Sequence, residues 1–322
     1  MTRKALLVGI NDYKNFSNLR GCINDVLDTH FSLRCLYGFQ TQEIRVLTDQ
    51  RATKANIIQR LKWLVNDAKA EDQLVFAFSG HGSQIRDRNH DELLDHMDEL
   101  ICPHDMHWDG NYITDDDMND IFRNLPQGVH LEVIMDCCHS GDNLKEVEQQ
   151  PIQQFQQQQP IQQQVPGIPV QTTNGIQPVF TQQEAQHVRN RYLSPPTDIF
   201  LRYSGDEEKL SCRGYIKGFQ ERSQKGHILW SSCKSNQVCA DAYINGRHHG
   251  AFTYFLNLHL RRNPAISREN LLRKVKASLV HAGFQQNPQL QIEATLRNRM
   301  IYTNQVPASM HTPSRERAEA EV

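Results

Sequence analysis

The chain has 322 residues, of which 38% are hydrophobic and 22% charged, and its formal net charge is −2. This near-neutral balance provides no broad basic field for nucleic acid and no polybasic run for a membrane surface, so we expect neither as a partner. No apolar run approaches the roughly 20 residues that span a bilayer, and the N-terminus does not read as a secretory signal. These features predict a cytoplasmic protein.

The predicted elements alternate between apolar strands and amphipathic helices. In the first part of the chain the patterns predict strands over 4–10, 43–49, 72–82 and 130–138, with helices over 22–39 and 52–68. In the last part they predict strands over 226–233 and 287–294, with helices over 250–262 and 267–283. This alternation indicates an α/β fold, with a mostly parallel central sheet covered by helices on both faces as a three-layer sandwich.

Composition divides the chain into ordered and unordered regions. Residues 1–145 form a large predicted region, and residues 195–305 form a smaller one whose strands we expect to extend the same sheet. Between them, residues 146–190 are rich in Gln and Pro and carry no apolar periodicity, which predicts a disordered linker. An interaction segment is the alternative interpretation. Residues 306–322 have the composition of a mobile tail.

The eight cysteines are scattered, and most of them read as small buried hydrophobic residues. They show neither the pattern of a disulfide framework nor paired C-x2-C zinc ligands. Cys137, Cys138 and His139 are adjacent, so a metal or redox site is one hypothesis for them. Adjacent cysteines suit neither a relaxed disulfide nor a tetrahedral zinc site, and this hypothesis therefore ranks last.

Two predicted strands end in reactive side chains: "SGHG" presents His81, and "DCCHSG" presents two cysteines. Ligands bind outside the carboxyl ends of strands in open α/β sheets, and a thiolate nucleophile needs a nearby base. Because side chains alternate along a strand, Asp136 and Cys138 share one side while Cys137 faces the core. The sequence therefore predicts Cys138 as the nucleophile and His81 as the base. The backbone N–H groups of Gly82 and Cys138 are the candidate oxyanion donors.

These motifs, with "LLVGINDYKNFSNLRGCINDV" and "ADAYINGRHHGAFTY", resemble the metacaspases and orthocaspases, a branch of the caspase-like cysteine peptidases. His81 lies 57 residues before Cys138, near the roughly 50 residues of caspases. The resemblance covers nearly all of the predicted ordered chain. It implies a caspase-like fold, a His/Cys dyad, a monomer, and hydrolysis of peptide bonds after Arg or Lys in protein or peptide substrates.

One residue offers a physical reason for a basic substrate. Asp136 stands two positions before the nucleophile, where the caspase signature has Gln. A buried carboxylate there would pair with a guanidinium or ammonium group and repel an acidic side chain. The resemblance adds Asp25, Cys22 and Ser79 to this S1 pocket. If the side chain of Arg20 turned into the pocket, it would oppose this preference.

An acidic stretch lies between the two motifs, and clustered carboxylates are what Ca²⁺ requires. The resemblance implies a Ca²⁺ site with Asp98, Asp115 and Asp116 as ligands. A further aspartate of the family's pattern is replaced by Lys145. The alternative interpretation is that "TDDD" provides carboxylates at the start of a helix.

The resemblance also implies a zymogen that cuts itself near the linker. Lys145, Arg189 and Arg191 flank the Gln-rich segment and match a basic preference. The competing hypothesis for the whole chain is a caspase-like scaffold that binds partners through the Gln-rich segment, with catalysis secondary. A Cys138→Ala variant separates the two, because a scaffold would keep its function.

Overall fold

A computed structural model describes residues 1–86, 97–138, 188–201, 227–234 and 237–301. Several sequence predictions lie outside these residues: the interior of the Gln-rich linker, the tail, and the roles assigned to His139 and Lys145. The domain boundary predicted after residue 145 lies outside them as well.

The strands within the described ranges are numbered along the chain. They are β1 Arg3–Gly9, β2 Ile44–Thr48, β3 Gln73–Ser79, β4 Gly82–Arg86, β5 Met97–Ile101, β6 Ile113–Thr114, β7 His130–Asp136, β8 Arg189–Asn190, β9 His227–Ser231, β10 Ala240–Ile244, β11 Arg247–Gly250 and β12 Gln289–Gln291. The α-helices are α1 Cys22–Phe31, α2 Lys54–Val65, α3 Asp115–Phe122, α4 Thr197–Leu201, α5 Ala251–Arg262, α6 Arg268–His281 and α7 Ala294–Arg297.

The central sheet has six strands, in the order β12-β9-β7-β3-β1-β2. Neighbouring strands are parallel except for β12, which runs antiparallel to β9 at one edge. The expected mostly parallel sheet is thus confirmed, and β9 and β12 from the last part of the chain continue it. Two smaller sheets have the orders β11-β10-β8 and β4-β5-β6.

Helices cover both faces of the central sheet. On β1, Leu6 and Val8 belong to one buried apolar cluster, while Ala5 and Leu7 belong to the other, as alternation along a strand requires. The first cluster includes apolar residues of α2 and α3, and the second includes those of α1, α5 and α6. The three-layer sandwich is therefore confirmed. Within the described ranges, no helix is long and apolar enough to cross a membrane.

Two predicted elements differ from the structure in instructive ways. The strand predicted over 72–82 is divided, because β3 ends at Ser79 and Gly82 begins β4 in another sheet. Between them, a Cβ on Gly80 would lie 2.6 Å from the Tyr13 hydroxyl, so only glycine fits this turn. The helix predicted over 22–39 ends as an α-helix at Phe31 and continues as a π-helical turn.

Candidate active site

The carboxyl ends of β3 and β7 lie side by side in the sheet. Ser79, the last residue of β3, pairs with Asp136, the last residue of β7. His81 and Cys138 each follow two residues later, and the thiol is close enough to raise the pKa of the histidine. The fold thus brings together the two side chains that the sequence predicted as a dyad.

Two contacts with one loop orient His81. Its backbone N–H donates to the Tyr13 hydroxyl at 2.7 Å, and its Nε2 lies 2.8 Å from the Ser17 carbonyl oxygen. A carbonyl can only accept, so Nε2 carries the hydrogen and Nδ1 carries the lone pair. Nδ1 is buried and makes no hydrogen bond within the described part of the chain. It is therefore the nitrogen that can accept a proton.

Burial lowers the pKa of His81 below its ordinary value, although the backbone of Ser17, the backbone of Arg191 and the Cys138 thiol oppose that shift. The imidazole is consequently neutral at physiological pH, which is the form that a general base requires. The structure also explains Gly82, since a Cβ there would collide with the Cys138 carbonyl oxygen. The glycine allows the two strand ends to approach each other.

The two cysteines differ in their surroundings, although both are buried. Cys137 belongs to the large apolar cluster on one face of the sheet, whereas Cys138 lies in a small separate cluster with Cys233 and Cys239. The Cys239 backbone N–H donates to Cys138 Sγ, which also lies 3.8 Å from Asn190 Oδ1. Strand alternation had predicted this difference.

Four residues were predicted to form the S1 pocket, and all four are buried in one place. Ser79 Oγ donates to Asp25 Oδ2 at 2.7 Å. Asp136 lies at the neighbouring strand end. Cys22 begins α1, and burial raises the pKa of its thiol.

A fully buried arginine occupies the pocket, and it is Arg191 rather than Arg20, whose side chain is exposed. Three carboxylates surround its guanidinium. NH2 lies 2.8 Å from Asp25 and 3.1 Å from Asp241, while NH1 lies 3.3 Å from Asp136. NH1 also donates to Ser79 Oγ at 2.8 Å.

The carboxylates themselves are held by hydrogen bonds. Asp136 Oδ2 accepts from the Thr253 hydroxyl at 2.6 Å and from its backbone N–H at 3.1 Å. Burial raises the pKa of Asp136 to about 6 even though Arg191 opposes the shift. Burial acts on Asp25 as well, but Arg191 and His249 outweigh it and lower the pKa of that carboxyl. The two aspartates therefore differ in how readily they take up a proton.

The backbone around Arg191 runs through the site in an extended form. β8 pairs antiparallel with β10, and the Arg191 N–H donates to the Cys239 carbonyl at 3.2 Å. The Gly82 N–H donates to the Arg191 carbonyl at 2.9 Å, and the Leu193 N–H donates to the Gly82 carbonyl at 2.9 Å. Composition assigned residues 188–190 to the disordered linker. In the structure they are ordered, because they lie next to the buried Arg191.

The predicted calcium ligands lie in one neighbourhood. Asp98 is a buried residue of β5, and Asp115 and Asp116 open α3 just after β6. β5 and β6 pair at Leu100 and Thr114, two residues from Asp98 and Asp116 respectively. Among the described residues, however, only a set of three cysteines has all its ligand atoms within 4.8 Å of one another. The carboxylates fit a shared site by position and do not converge on one point.

Sequence reasoning missed several residues of the site. Asp241 is the third carboxylate, Thr253 holds Asp136, and Tyr13 and Ser17 hold His81. Asp241 and Thr253 lie within the quoted segment "ADAYINGRHHGAFTY", so the resemblance pointed to the region without assigning them. Ser17 acts through its backbone, which carries no signal in the sequence.

Comparisons with known proteins identify the family of this chain. The family model of the metacaspase peptidase C14 domain matches residues 3–146. The chain is 34% identical to Metacaspase-1 of Ajellomyces capsulatus over 317 residues, covering 93% of this chain and 82% of that protein. It is 33% identical to Metacaspase-1A of Aspergillus fumigatus over 308 residues, covering 93% and 71%. This chain belongs to the metacaspase family.

As a metacaspase, the chain is a cysteine peptidase, a hydrolase whose substrates are proteins or peptides. A solved structure shares the fold of this chain. A crystal structure of a protein from Geobacter sulfurreducens matches with a TM-score of 0.60, over 94% of this chain and 99% of that chain. The two sequences are 19% identical, so this match concerns the fold alone. The architecture is the caspase-like α/β fold.

Proposed function

We propose that this metacaspase is an endopeptidase that cleaves after arginine or lysine through Cys138 and His81. The observation that carries the proposal is the burial of Arg191 among three carboxylates. A buried guanidinium needs charged partners, and these partners would repel an acidic substrate side chain. A substrate arginine would make the same contacts once Arg191 leaves.

The proposed reaction is an acyl transfer that uses the polar groups at the two strand ends. His81 Nδ1 takes the proton of the Cys138 thiol, and the thiolate attacks the peptide carbonyl carbon. The Gly82 N–H, which donates to the Arg191 carbonyl at 2.9 Å, and the Cys138 N–H stabilise the oxyanion. His81 then protonates the departing amine, and water hydrolyses the thioester with His81 again as base.

The same geometry supports self-processing at the Arg191–Tyr192 bond. Arg191 has its guanidinium in the pocket and its carbonyl on a predicted oxyanion donor. The side chain of Arg189 instead donates to the Asn18 carbonyl, outside the pocket. Of the candidate sites for self-cleavage, Arg191 is therefore the preferred one. The intact chain would be a zymogen whose own segment blocks the site.

We further propose that Ca²⁺ stimulates the enzyme through Asp98, Asp115 and Asp116. The ion would supply positive charge that holds these carboxylates together beside β4, the strand that begins at Gly82. Because β4 directly follows the turn that carries His81, calcium bound beside β4 would act on the position of His81.

The test is hydrolysis of matched peptide-coumarin substrates that end in Arg, Lys or Asp, with Ca²⁺ and with chelator. Cys138→Ala is the blank. We expect turnover of the Arg and Lys peptides only, absent from the blank and reduced by chelator. Turnover of the Asp peptide would contradict the pocket assignment. Equal turnover with chelator would contradict calcium stimulation alone.

A further inference from the structure

The predicted nucleophile has two other thiols beside it. The sulfur atoms of Cys138, Cys233 and Cys239 lie within 4.8 Å of one another, and all three residues are buried. Cys138 follows β7, Cys233 follows β9 and Cys239 precedes β10, so the fold brings them together. The hydrolytic mechanism uses only the first, which leaves two thiols whose presence at the site it does not explain.

Cys239 contacts both of the other cysteines. Its Sγ lies 2.6 Å from Cys233 Sγ, which is only about 0.6 Å longer than a disulfide bond of ~2.05 Å. Its backbone N–H donates to Cys138 Sγ at 2.5 Å. A bond between Cys233 and Cys239 therefore needs little movement, and Cys239 is also the immediate neighbour of the nucleophile.

Simple packing does not account for these contacts. Cys239 Sγ lies 2.7 Å from the Ser232 hydroxyl and 3.4 Å from the Cys137 carbonyl oxygen, while Cys233 Sγ donates to the Gln237 carbonyl at 3.3 Å. Both thiols thus have polar neighbours that can form hydrogen bonds with them. Burial raises the pKa of Cys239 well above its ordinary value, so it stays protonated and is a poor first target for an oxidant.

We propose that Cys239 and Cys233 rescue Cys138 after its oxidation by hydrogen peroxide. The peroxide O–O bond breaks, Cys138 becomes a sulfenic acid, and water leaves. The Cys239 thiol then condenses with the sulfenic acid, forms a Cys138–Cys239 disulfide and releases a second water. Cys233 attacks the Cys239 sulfur, its proton passes to the sulfur of Cys138, and a Cys233–Cys239 disulfide remains.

The net change is the reduction of one peroxide to two waters and the oxidation of two thiols to a disulfide, with Cys138 returned to its thiol form. This transfer of oxidation from Cys138 to Cys239 and Cys233, here called the relay, works once per reduced enzyme. The Cys233–Cys239 disulfide must be reduced before Cys138 can be restored again. A second peroxide would therefore inactivate the enzyme. This inference rests on the proposed role of Cys138 as nucleophile.

The experiment adds hydrogen peroxide stepwise to the full chain in its form active on the Arg peptide, and follows residual turnover and disulfide-linked peptides by mass spectrometry. We expect the wild type to keep most of its activity through the first molar equivalent and to gain a Cys233–Cys239 disulfide. Cys233→Ser, which retains the nucleophile, should lose activity from the first addition, by at least about fivefold at one equivalent, and regain it with dithiothreitol.

Cys35→Ser is the matched control, because Cys35 is an exposed cysteine outside the group; it should behave as the wild type does. Cys233→Ala should repeat the result of Cys233→Ser. A wild type that loses activity in step with Cys233→Ser, or that forms no Cys233–Cys239 disulfide, would overturn the relay. Mass spectrometry detects the disulfide-linked peptides whether or not the enzyme turns over substrate. An enzyme that is inactive before peroxide treatment therefore counts only against the proposed function.

Discussion

At the residue scale, the pocket places one positive group among several acidic ones. One guanidinium, that of Arg191, meets three carboxylates and a hydroxyl with no exposure to solvent. A guanidinium has five N–H donors in a fixed plane, whereas an ammonium has three on a compact group. A pocket whose acceptors surround a plane should therefore favour arginine over lysine, although both carry the required charge.

Asp241 should contribute to substrate binding more than to chemistry. Replacement of one charged acceptor by a neutral one in Asp241→Asn should raise KM for the Arg peptide by about tenfold, with a smaller change in kcat. The backbone N–H groups of Arg20 and Gly21 now donate to different oxygens of Asp241, and the amide oxygen can keep one of these two hydrogen bonds. Steady-state kinetics measures both constants.

The control for this variant is Asp120→Asn, which makes the same change at an exposed carboxylate on α3. It should leave both constants unchanged. If Asp241→Asn and the control gave the same KM, the third carboxylate would have no part in substrate binding.

Binding to the pocket should weaken in acid. Burial raises the pKa of Asp136 to about 6, so this carboxyl takes up a proton as the pH falls through that value and loses its attraction for a guanidinium. Below pH 6, the Ki of a non-hydrolysable peptide ending in agmatine should rise by roughly tenfold. An inhibitor is used because its Ki, unlike kcat, does not depend on proton transfer by the dyad. A Ki that is flat between pH 5 and pH 7, on the order of one unit either side of that pKa, would contradict this assignment.

At the scale of elements, residues 188–193 behave as a peptide added to a sheet edge. Arg189 and Asn190 pair with β10, and Tyr192 forms a bridge to Gly82 on the other side. In strand addition, main-chain hydrogen bonds give affinity and a side-chain pocket gives specificity. Here the pocket receives Arg191, so the short strand β8 holds the chain in register with the dyad.

Self-cleavage should depend on the arginine in the pocket and not on its neighbour. Arg191→Gln should abolish a new N-terminus at Tyr192, because glutamine cannot neutralise the carboxylates. Arg189→Gln should still be cut, since the side chain of Arg189 donates to the Asn18 carbonyl and not to the carboxylates around Arg191. Intact-mass analysis of both variants, with Cys138→Ala as the uncut reference, measures the outcome. Cleavage of Arg191→Gln at the same bond would refute this site.

At the scale of the whole molecule, a buried ion pair ties the two parts of the chain together. Glu132 on β7 accepts from Arg268 on α6 at 2.9 Å and from the indole N–H of Trp230 on β9 at 2.6 Å. Glu132 and Arg268 are 2% and 4% exposed. Since β9 also pairs with β7, the first and last parts of the chain are joined both by a common sheet and by this ion pair.

Removal of one partner should destabilise the entire molecule. Arg268→Met leaves a buried carboxylate without its cation and should lower the free energy of unfolding by about 3–5 kcal/mol. The double variant with Glu132→Gln should recover most of this loss, because the buried charge is gone and the amide oxygen can still accept from Trp230. Urea unfolding followed by circular dichroism and by tryptophan fluorescence should give one coincident transition. Two separated transitions would mean that the parts fold independently.

The sequence by itself determined the features that arise from local patterns. Strand periodicity predicted the sheet and distinguished Cys138 from Cys137, because neighbouring side chains on a strand must face opposite ways. Threonine and serine are common helix N-caps, and the side chains of Thr53 and Ser267 each accept from a backbone N–H three residues later at the start of a helix. The glycines of "SGHG" indicated a turn after β3, but the pattern did not show that Gly82 begins a strand of another sheet.

Only the tertiary structure decided which distant residues meet. Arg191 contacts Asp25, Cys239 contacts Cys138, and Asp241 holds the start of α1. The partners in each of these pairs are at least 101 residues apart in the chain. No local pattern encodes such meetings, because they depend on the order of strands in the sheet and on how its loops cross. The sequence therefore predicted a dyad of His81 and Cys138, and the fold determined that an arginine of the same chain lies among the carboxylates beside them.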